Sequence, residues 1–350
     1  MSQTPIPATQ TTPERTGTPL LDVRHLTKHF PVSAIVRTRQ VHAVEDVSFT
    51  VESGQVVALV GESGSGKSTT IRLIARLIPA TGGEIFFHGR DVLITEQKQA
   101  SLAYRRQVQM IFQDPFSSLN AVYTIEHHIA RPLIIHKLTH SRQHLQQRVY
   151  ELLSVVGLDP APEIASRYPH QLSGGQRQRV AIARALAVDP KLILADEPIS
   201  MLDVSIRMGI LNLIEQLKEE HGIAYLYITH DLASARYIGD KIMVMYAGHM
   251  VEGGDCEEIM GNPAHPYTQL LLSAVPDPHA GLHTQKEIGA RGEVPSLIDP
   301  LPGCLFAARC PKAMDICRQV MPGPTDVKPG HWVRCHLFGP GSKILSKEVV

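Results

Sequence analysis

The chain has no surplus charge of either sign: 34 Lys and Arg stand against 34 Asp and Glu in 350 residues. It therefore carries no overall basic field to hold a polynucleotide, and no nucleic-acid partner is expected. Nor does any stretch approach the roughly 18 to 20 apolar residues that span a bilayer, so the chain reads as cytosolic or peripheral to a membrane. The opening segment, MSQTPIPATQTTPERTGTP, lacks a basic start followed by an apolar run. It reads as a disordered tail over about residues 1–18 and not as a signal peptide. Cysteine is scarce, five in all. The paired C-x2-C knuckles typical of structural zinc are missing, and in a reducing compartment clustered thiols lean towards metal binding over disulfides.

What is present suits a large domain followed by a small one. Apolar residues make up 43% of the chain, enough for a sizeable core. LLDVRHL and VHAVEDVSFTV, between residues 20 and 51, alternate like strands of a half-exposed sheet, with PVSAIVRTRQ as a loop between them. GQVVALV (54–60), KLILAD (191–196) and IAYLYIT (223–229) are short buried-type strands. Helical spacing follows in TTIRLIARLI and over 141–156, where Leu145, Val149, Leu152 and Val156 share a face. Another helix is expected after Ser173. Ile206, Ile210, Leu213, Ile214 and Leu217 mark one more, ending near Gly222 as a C-cap. Strands alternating with helices predict an α/β fold with a largely parallel sheet. Beyond about Tyr267 prolines and glycines become frequent and periodicity fades, which predicts a boundary and a smaller irregular domain.

GESGSGKS, residues 61–68, fits the phosphate-loop pattern G-x-x-x-x-G-K-[ST] between a buried strand and a helix. Glycines let such a loop curl so that its backbone N–H groups face an anion, and the helix adds the positive end of its dipole. Lys67 can reach the β- and γ-phosphates, and the Ser68 hydroxyl can ligate Mg²⁺. Asp196, ending LILAD, suits a second Mg²⁺-holding position. Glu197 follows at the mouth of the site, placed to orient a water. LSGGQ (172–176) is a second turn opening onto a helix and so another candidate anion site.

On these motifs the chain resembles the ATP-binding subunits of ABC transporters over nearly all of residues 20–350. The resemblance implies a P-loop NTPase with a RecA-like core, an antiparallel β subdomain and a helical subdomain, with a small irregular C-terminal domain. The boundaries expected are 19–268 for the ATP-binding domain, about 114–183 for its helical part, and 269–350 for the last domain. It further implies that Gly61, Glu62, Ser63, Gly64, Ser65, Gly66, Lys67, Ser68 and Thr69 form the Walker A loop. Glu197 is then the catalytic glutamate and Asp196 holds Mg²⁺ with Ser68. Gln113, in MIFQDPFSSLN, matches the Q-loop glutamine that senses Mg²⁺ and the attacking water. His230, in YITHDL, matches the switch histidine on the γ-phosphate. Asp203 matches the D-loop aspartate, and Phe30, in LTKHF, stands where an aromatic ring stacks on adenine. Ser173, Gly174, Gly175 and Gln176 would act on ATP held by the partner subunit of a head-to-tail dimer. The family's DEPTSALD reads DEPISMLD here; Ile199 and Met201 change no ionisable group, so hydrolysis is expected to survive.

FQDPFSSLN, HPYTQLLLSAVP (265–276), GARGEVPSLID (289–299) and the cysteine-bearing tail together resemble the oligopeptide/dipeptide importer ATPases, and within them the F-type subunit. That implies ATP hydrolysis energising solute import, pairing with a D-type ATPase, two permease subunits and, indirectly, a solute-binding protein. The chain would sit peripherally at the cytoplasmic face of the inner membrane. Nickel, sugars or other solutes are the alternative cargo, and a soluble ABC ATPase outside transport is a further alternative. Cys304, Cys310, Cys317 and Cys335 are spaced C-x5-C-x6-C-x17-C. Disulfides, a metal or inert thiols all remain open from the spacing; four thiolates suit a [4Fe–4S] cluster, which some members of the resembled group carry. Such a site is expected to lie well apart from the ATP chemistry.

Overall fold

The computed structural model describes residues 18–32, 39–96, 99–274, 295–300 and 302–339. Nearly all of the N-terminal tail, most of the loop after Phe30 and the first part of GARGEVPSLID lie outside the described residues. Strands β1 (Leu21–Val32) and β2 (Arg39–Val51) lead to β3 (Val56–Val60), then β4 (Gly82–Phe87), β5 (Arg90–Asp91) and β6 (Val108–Ile111). After a run of helices come β7 (Leu192–Asp196), β8 (Ala224–Thr229), β9 (Lys241–Tyr246) and β10 (His249–Asp255). The tail adds β11 (Thr325–Lys328) and β12 (His331–Val333).

One sheet, in the order β2-β1-β4-β5, is antiparallel. The other runs β11-β12-β10-β9-β3-β8-β7-β6, and its members from β9 to β6 are parallel. The uninterrupted apolar runs VVALV, LILAD and AYLYIT are buried at every position, as strands covered on both faces must be. Side chains alternate between the two faces of such a strand. In β3, Val56, Ala58 and Val60 join one core with the helical region, while Val57 and Leu59 join a second core with the antiparallel sheet.

The expected helix over 141–156 forms as Arg142–Val155, with the Ser141 hydroxyl accepting from the His144 N–H. The helix Val204–His221 ends at Gly222 with φ of 62°, the left-handed cap that glycine adopts without a Cβ clash. The helix after the phosphate loop is shorter than the pattern TTIRLIARLI suggests. It stops at Ile74, and Arg76 turns to a positive φ of 56°. The tail is irregular, yet β12 hydrogen-bonds to β10 and Phe306 lies in the first core. That docking brings the tail against the ATP-binding region.

Candidate active site

Parallel pairing puts the C-terminal ends of β3, β8, β7 and β6 side by side, and ligands of open α/β sheets bind outside such ends. Each end leads into expected residues: β3 into the 61–68 loop, β8 into His230, β7 into Asp196 and Glu197, β6 into Gln113. A cavity of about 520 Å³ there is lined by residues 63–69 with Gln113, Glu197 and His230, and by Ala43 from β2.

Two loop glycines are required by their surroundings. A Cβ on Gly61 (φ 152°) would sit 2.1 Å from the Met245 carbonyl oxygen, and one on Gly66 (φ 105°) 2.3 Å from that of Ala43. Backbone-to-backbone contact that close leaves room for no side chain. Gly66 then caps the helix Lys67–Ile74, whose first N–H groups face the cavity.

Lys67 is 4% exposed. Its ammonium donates to the carbonyl oxygens of Gly61 (2.7 Å) and Glu62 (2.8 Å). Burial lowers its pKa, opposed by the nearby carboxylates of Glu197, Asp196 and Glu62. A phosphate entering the loop offers this lysine an anionic oxygen in place of neutral carbonyls. The Ser68 hydroxyl donates to Asp196 Oδ1 at 2.9 Å, so the two oxygen donors expected to share a cation meet. Burial raises the Asp196 pKa, with the Ser68 hydrogen bond opposing it; a divalent cation there would favour the ionised form.

Glu197 has a left-handed backbone, φ 46°, held by its N–H on the Ile228 carbonyl at 3.0 Å. This kink at the end of β7 aims its carboxylate at two strand-end neighbours. Gln113 Nε2 donates to Glu197 Oε2 at 2.9 Å, and His230 Nδ1 lies 3.2 Å from the same oxygen. Gln113, Glu197 and His230 are thus one group at the mouth of the cavity.

Other expected residues lie elsewhere. Ser173 caps the helix Gly174–Leu186: its hydroxyl accepts from the Gln176 N–H, and the Gln176 side chain accepts from the Ser173 N–H. A Cβ on Gly175 would meet Ile206 at 2.5 Å, so helix packing also requires this glycine. None of residues 173–176 lines the cavity, nor does Asp203, which precedes the helix Val204–His221. Phe30 is on β1 opposite Val41, outside the cavity lining, with the Lys28 ammonium 4.9 Å from its ring centroid. Beside it, His29 Nε2 and His42 Nδ1 lie 2.6 and 2.8 Å from Glu45 Oε2. Burial pushes the Glu45 carboxyl up, but these hydrogen bonds outweigh it and hold the pKa low.

The tail reaches the phosphate loop through Arg309, while the cavity lined by the four cysteines shares no residue with the ATP cavity. Arg309, the neighbour of Cys310, forms a bidentate pair with Glu62, the second residue of the phosphate loop, at 2.8 and 2.9 Å. The Glu62 N–H donates to the Tyr267 hydroxyl at 2.8 Å. Tyr267 is placed by the HPY segment, whose chemistry the sequence reading left unassigned. His265 Nδ1 accepts the Tyr267 N–H, while the His265 N–H donates to buried Glu252, which also pairs with His331 Nε2 at 2.7 Å. Pro266 begins the helix Pro266–Ser273, where its missing N–H goes unneeded. Burial lowers the His265 pKa to about 4, against the Glu252 charge, and its Nδ1 is thereby kept as an acceptor.

Residues 44–200 match the ABC transporter family profile, and residues 251–317 that of the oligopeptide/dipeptide transporter C-terminal region. The chain is 44% identical to the oligopeptide transport ATP-binding protein AppF of Bacillus subtilis, over 91% of this chain and 97% of that one. With OppF of the same organism the identity is 46%, over 90% and 96%. Among solved structures it is similar to a dimeric post-hydrolysis state of the ATP-binding cassette MJ0796 bound to ADP and Pi. That match has 30% identity and a TM-score of 0.59, over 67% of this chain and 98% of the other. At such identity across almost the whole of both relatives, the protein belongs to the ABC transporter ATPases, in the group of oligopeptide transport ATP-binding proteins.

Proposed function

We propose that this chain is the F-type ATPase subunit of an importer for oligopeptides or dipeptides. The observation that carries its ATPase chemistry is the meeting, in one cavity, of the phosphate loop with the Gln113–Glu197–His230 group. Lys67 and the helix N-terminus take up the phosphates. The Ser68 hydroxyl and the Asp196 carboxylate would hold Mg²⁺, which when bound neutralises charge on the phosphoryl oxygens. Glu197, fixed by Gln113 and His230, accepts the proton of the attacking water. Ser173 is exposed outside this cavity, which suits residues 173–176 and Asp203 to act on ATP held by a D-type partner in a head-to-tail dimer. Phe30, on an adjacent strand, is 37% exposed and free to stack on adenine.

The surface after Gln113 supports docking of a permease. Phe116, Val122 and Tyr123 are exposed apolar side chains at the rim of the helical region, a concentration suited to a short permease helix. Among the described residues no helix is long and apolar enough to cross a membrane, so the proposed place is peripheral, at the cytoplasmic face beneath two permease subunits. The peptide class rests on the C-terminal match and on the relatives' names.

The four tail cysteines are free thiols lining one small cavity beside His265 and Phe306. Burial pushes Cys304 and Cys335 up to about 11, so a metal would have to displace their protons. Among the described residues no three of these sulfurs lie within 4.8 Å of one another. The cavity they line is only about 10 Å³, the room of about one water, so as the thiols stand it does not fit a [4Fe–4S] cluster. Iron and sulfide in anaerobically purified protein would show that the tail opens to take a cluster; zinc alone would show that it takes a single metal ion.

The test of the function is reconstitution with candidate permease subunits and a solute-binding protein from the same organism. ATP turnover is expected to rise when that binding protein carries a peptide. Stimulation by nickel or a sugar, with none by peptide, would refute the proposed cargo.

A further inference from the structure

We propose that Arg309 is a positioning residue for the phosphate loop, so that the tail, and not the cassette alone, sets how tightly the loop takes a nucleotide. The inference rests on residues 61–68 being the ATP site.

Glu62 is the hinge of the argument. It does not line the cavity, so its side chain is turned from the space a phosphate would enter. All three of its polar groups are nonetheless engaged. The carbonyl accepts from Lys67 at 2.8 Å, the N–H donates to Tyr267 at 2.8 Å, and the carboxylate takes both arms of Arg309. A shift of Glu62 is therefore felt directly at the lysine that must meet the phosphates. Arg309 reaches it from 247 positions along the chain.

Arg309 is itself held firmly. Its side chain is 10% exposed. The guanidinium also donates to the Tyr246 hydroxyl at 3.3 Å and lies 5.8 Å from the ring centroids of Tyr246 and Phe306. Those rings pack with Tyr267 at centroid distances of 4.5 to 5.4 Å, and Phe306 is 1% exposed. The Phe306 carbonyl accepts the Arg309 N–H, and Cys304 accepts from Ala307. The turn that presents the arginine is therefore the one that presents Cys304 and Cys310 to the thiol cavity. A planar, bidentate guanidinium fixes a carboxylate in orientation as well as distance, which an ammonium cannot reproduce.

Equilibrium binding of MgATP to the full chain tests this, with thermal unfolding run in parallel to select folded variants. Arg309→Gln and Arg309→Lys are each expected to weaken binding by about fivefold, about 1 kcal/mol. Turnover at saturating ATP in the assembled transporter should change by less than about twofold, the split expected of a group that places the loop without touching the reaction. Glu62→Gln should give the same loss, and adding Arg309→Gln to it no more, because both remove one interaction. Unchanged affinity in a folded Arg309→Gln protein, or losses that simply add, would overturn the proposal. Lys67→Ala separates the two levels. Normal binding in that variant sinks the phosphate-loop assignment itself, whereas lost binding beside an unaffected Arg309→Gln sinks only the role of Arg309.

Discussion

The ATP cavity and the tail that braces it are built on opposite plans. The cavity takes Gln113, Asp196, Glu197 and His230 from positions within two residues of neighbouring strand ends, and Lys67 and Ser68 from the start of the helix that follows the β3 loop. The tail brings Arg309 and four thiols, from segments with little regular structure, against Tyr267 on the helix Pro266–Ser273, around Phe306 and the Glu252–His265–His331 group. Parallel β-pairing fixes the first arrangement; aromatic packing and a few buried polar contacts fix the second. The teaching is that a site assembled at strand ends can be altered one residue at a time, whereas the tail is expected to answer through placement.

Lys67→Ala should have the largest effect in this comparison. Removing the ammonium leaves the Gly61 and Glu62 carbonyls without their donor and the phosphates without their cation, and MgATP binding is expected to fall by at least about 100-fold. Nucleotide titration measures this directly. The Arg309 variants come next, at about fivefold; an effect as large as that of Lys67→Ala would erase the distinction between chemistry and placement.

The tail should also show itself in acid. His265 has its pKa lowered by burial to about 4 in the folded chain, against about 6.5 when unfolded. The unfolded state therefore binds the proton first as pH falls. The contribution of neutral His265 is complete above about pH 6.5 and is lost at up to about 1.4 kcal/mol per pH unit down to about pH 4. Denaturant unfolding of wild type and His265→Asn across this window should converge at low pH, and parallel curves would contradict the assignment. The smallest effect is expected at Ser173→Ala, where loss of the cap should cost about 1 kcal/mol of stability and leave MgATP affinity of the isolated chain unchanged. A fall in that affinity would bring the signature turn into the chain's own site.

Legibility in the sequence follows the same division. Lys67, Ser68, Asp196, Glu197, Gln113 and His230 could be read because each belongs to a motif whose neighbours also set its geometry: a buried strand, then a turn. The helix termini at Ser141 and Gly222 were legible for the same local reason. The contact of Arg309 with Glu62 was not, since nothing in CLFAARC signals a partner 247 residues away. His265, Pro266 and Tyr267 were visible as a motif but silent as to role. Their meaning depends on Glu252, a carboxylate residue fully buried on β10, where such side chains are rare unless paired. Helix length after the phosphate loop was misjudged because TTIRLIARLI keeps its helical period past Arg76, where the backbone turns over.

Glu197→Gln tests the central claim most directly, by MgATP binding and turnover on the same preparation assembled with its partner. Binding should remain within about twofold of wild type, because Lys67 and the loop are untouched. Turnover should fall by at least about 100-fold with loss of the general base, and a closed dimer should accumulate. Wild-type turnover in that variant would contradict the account.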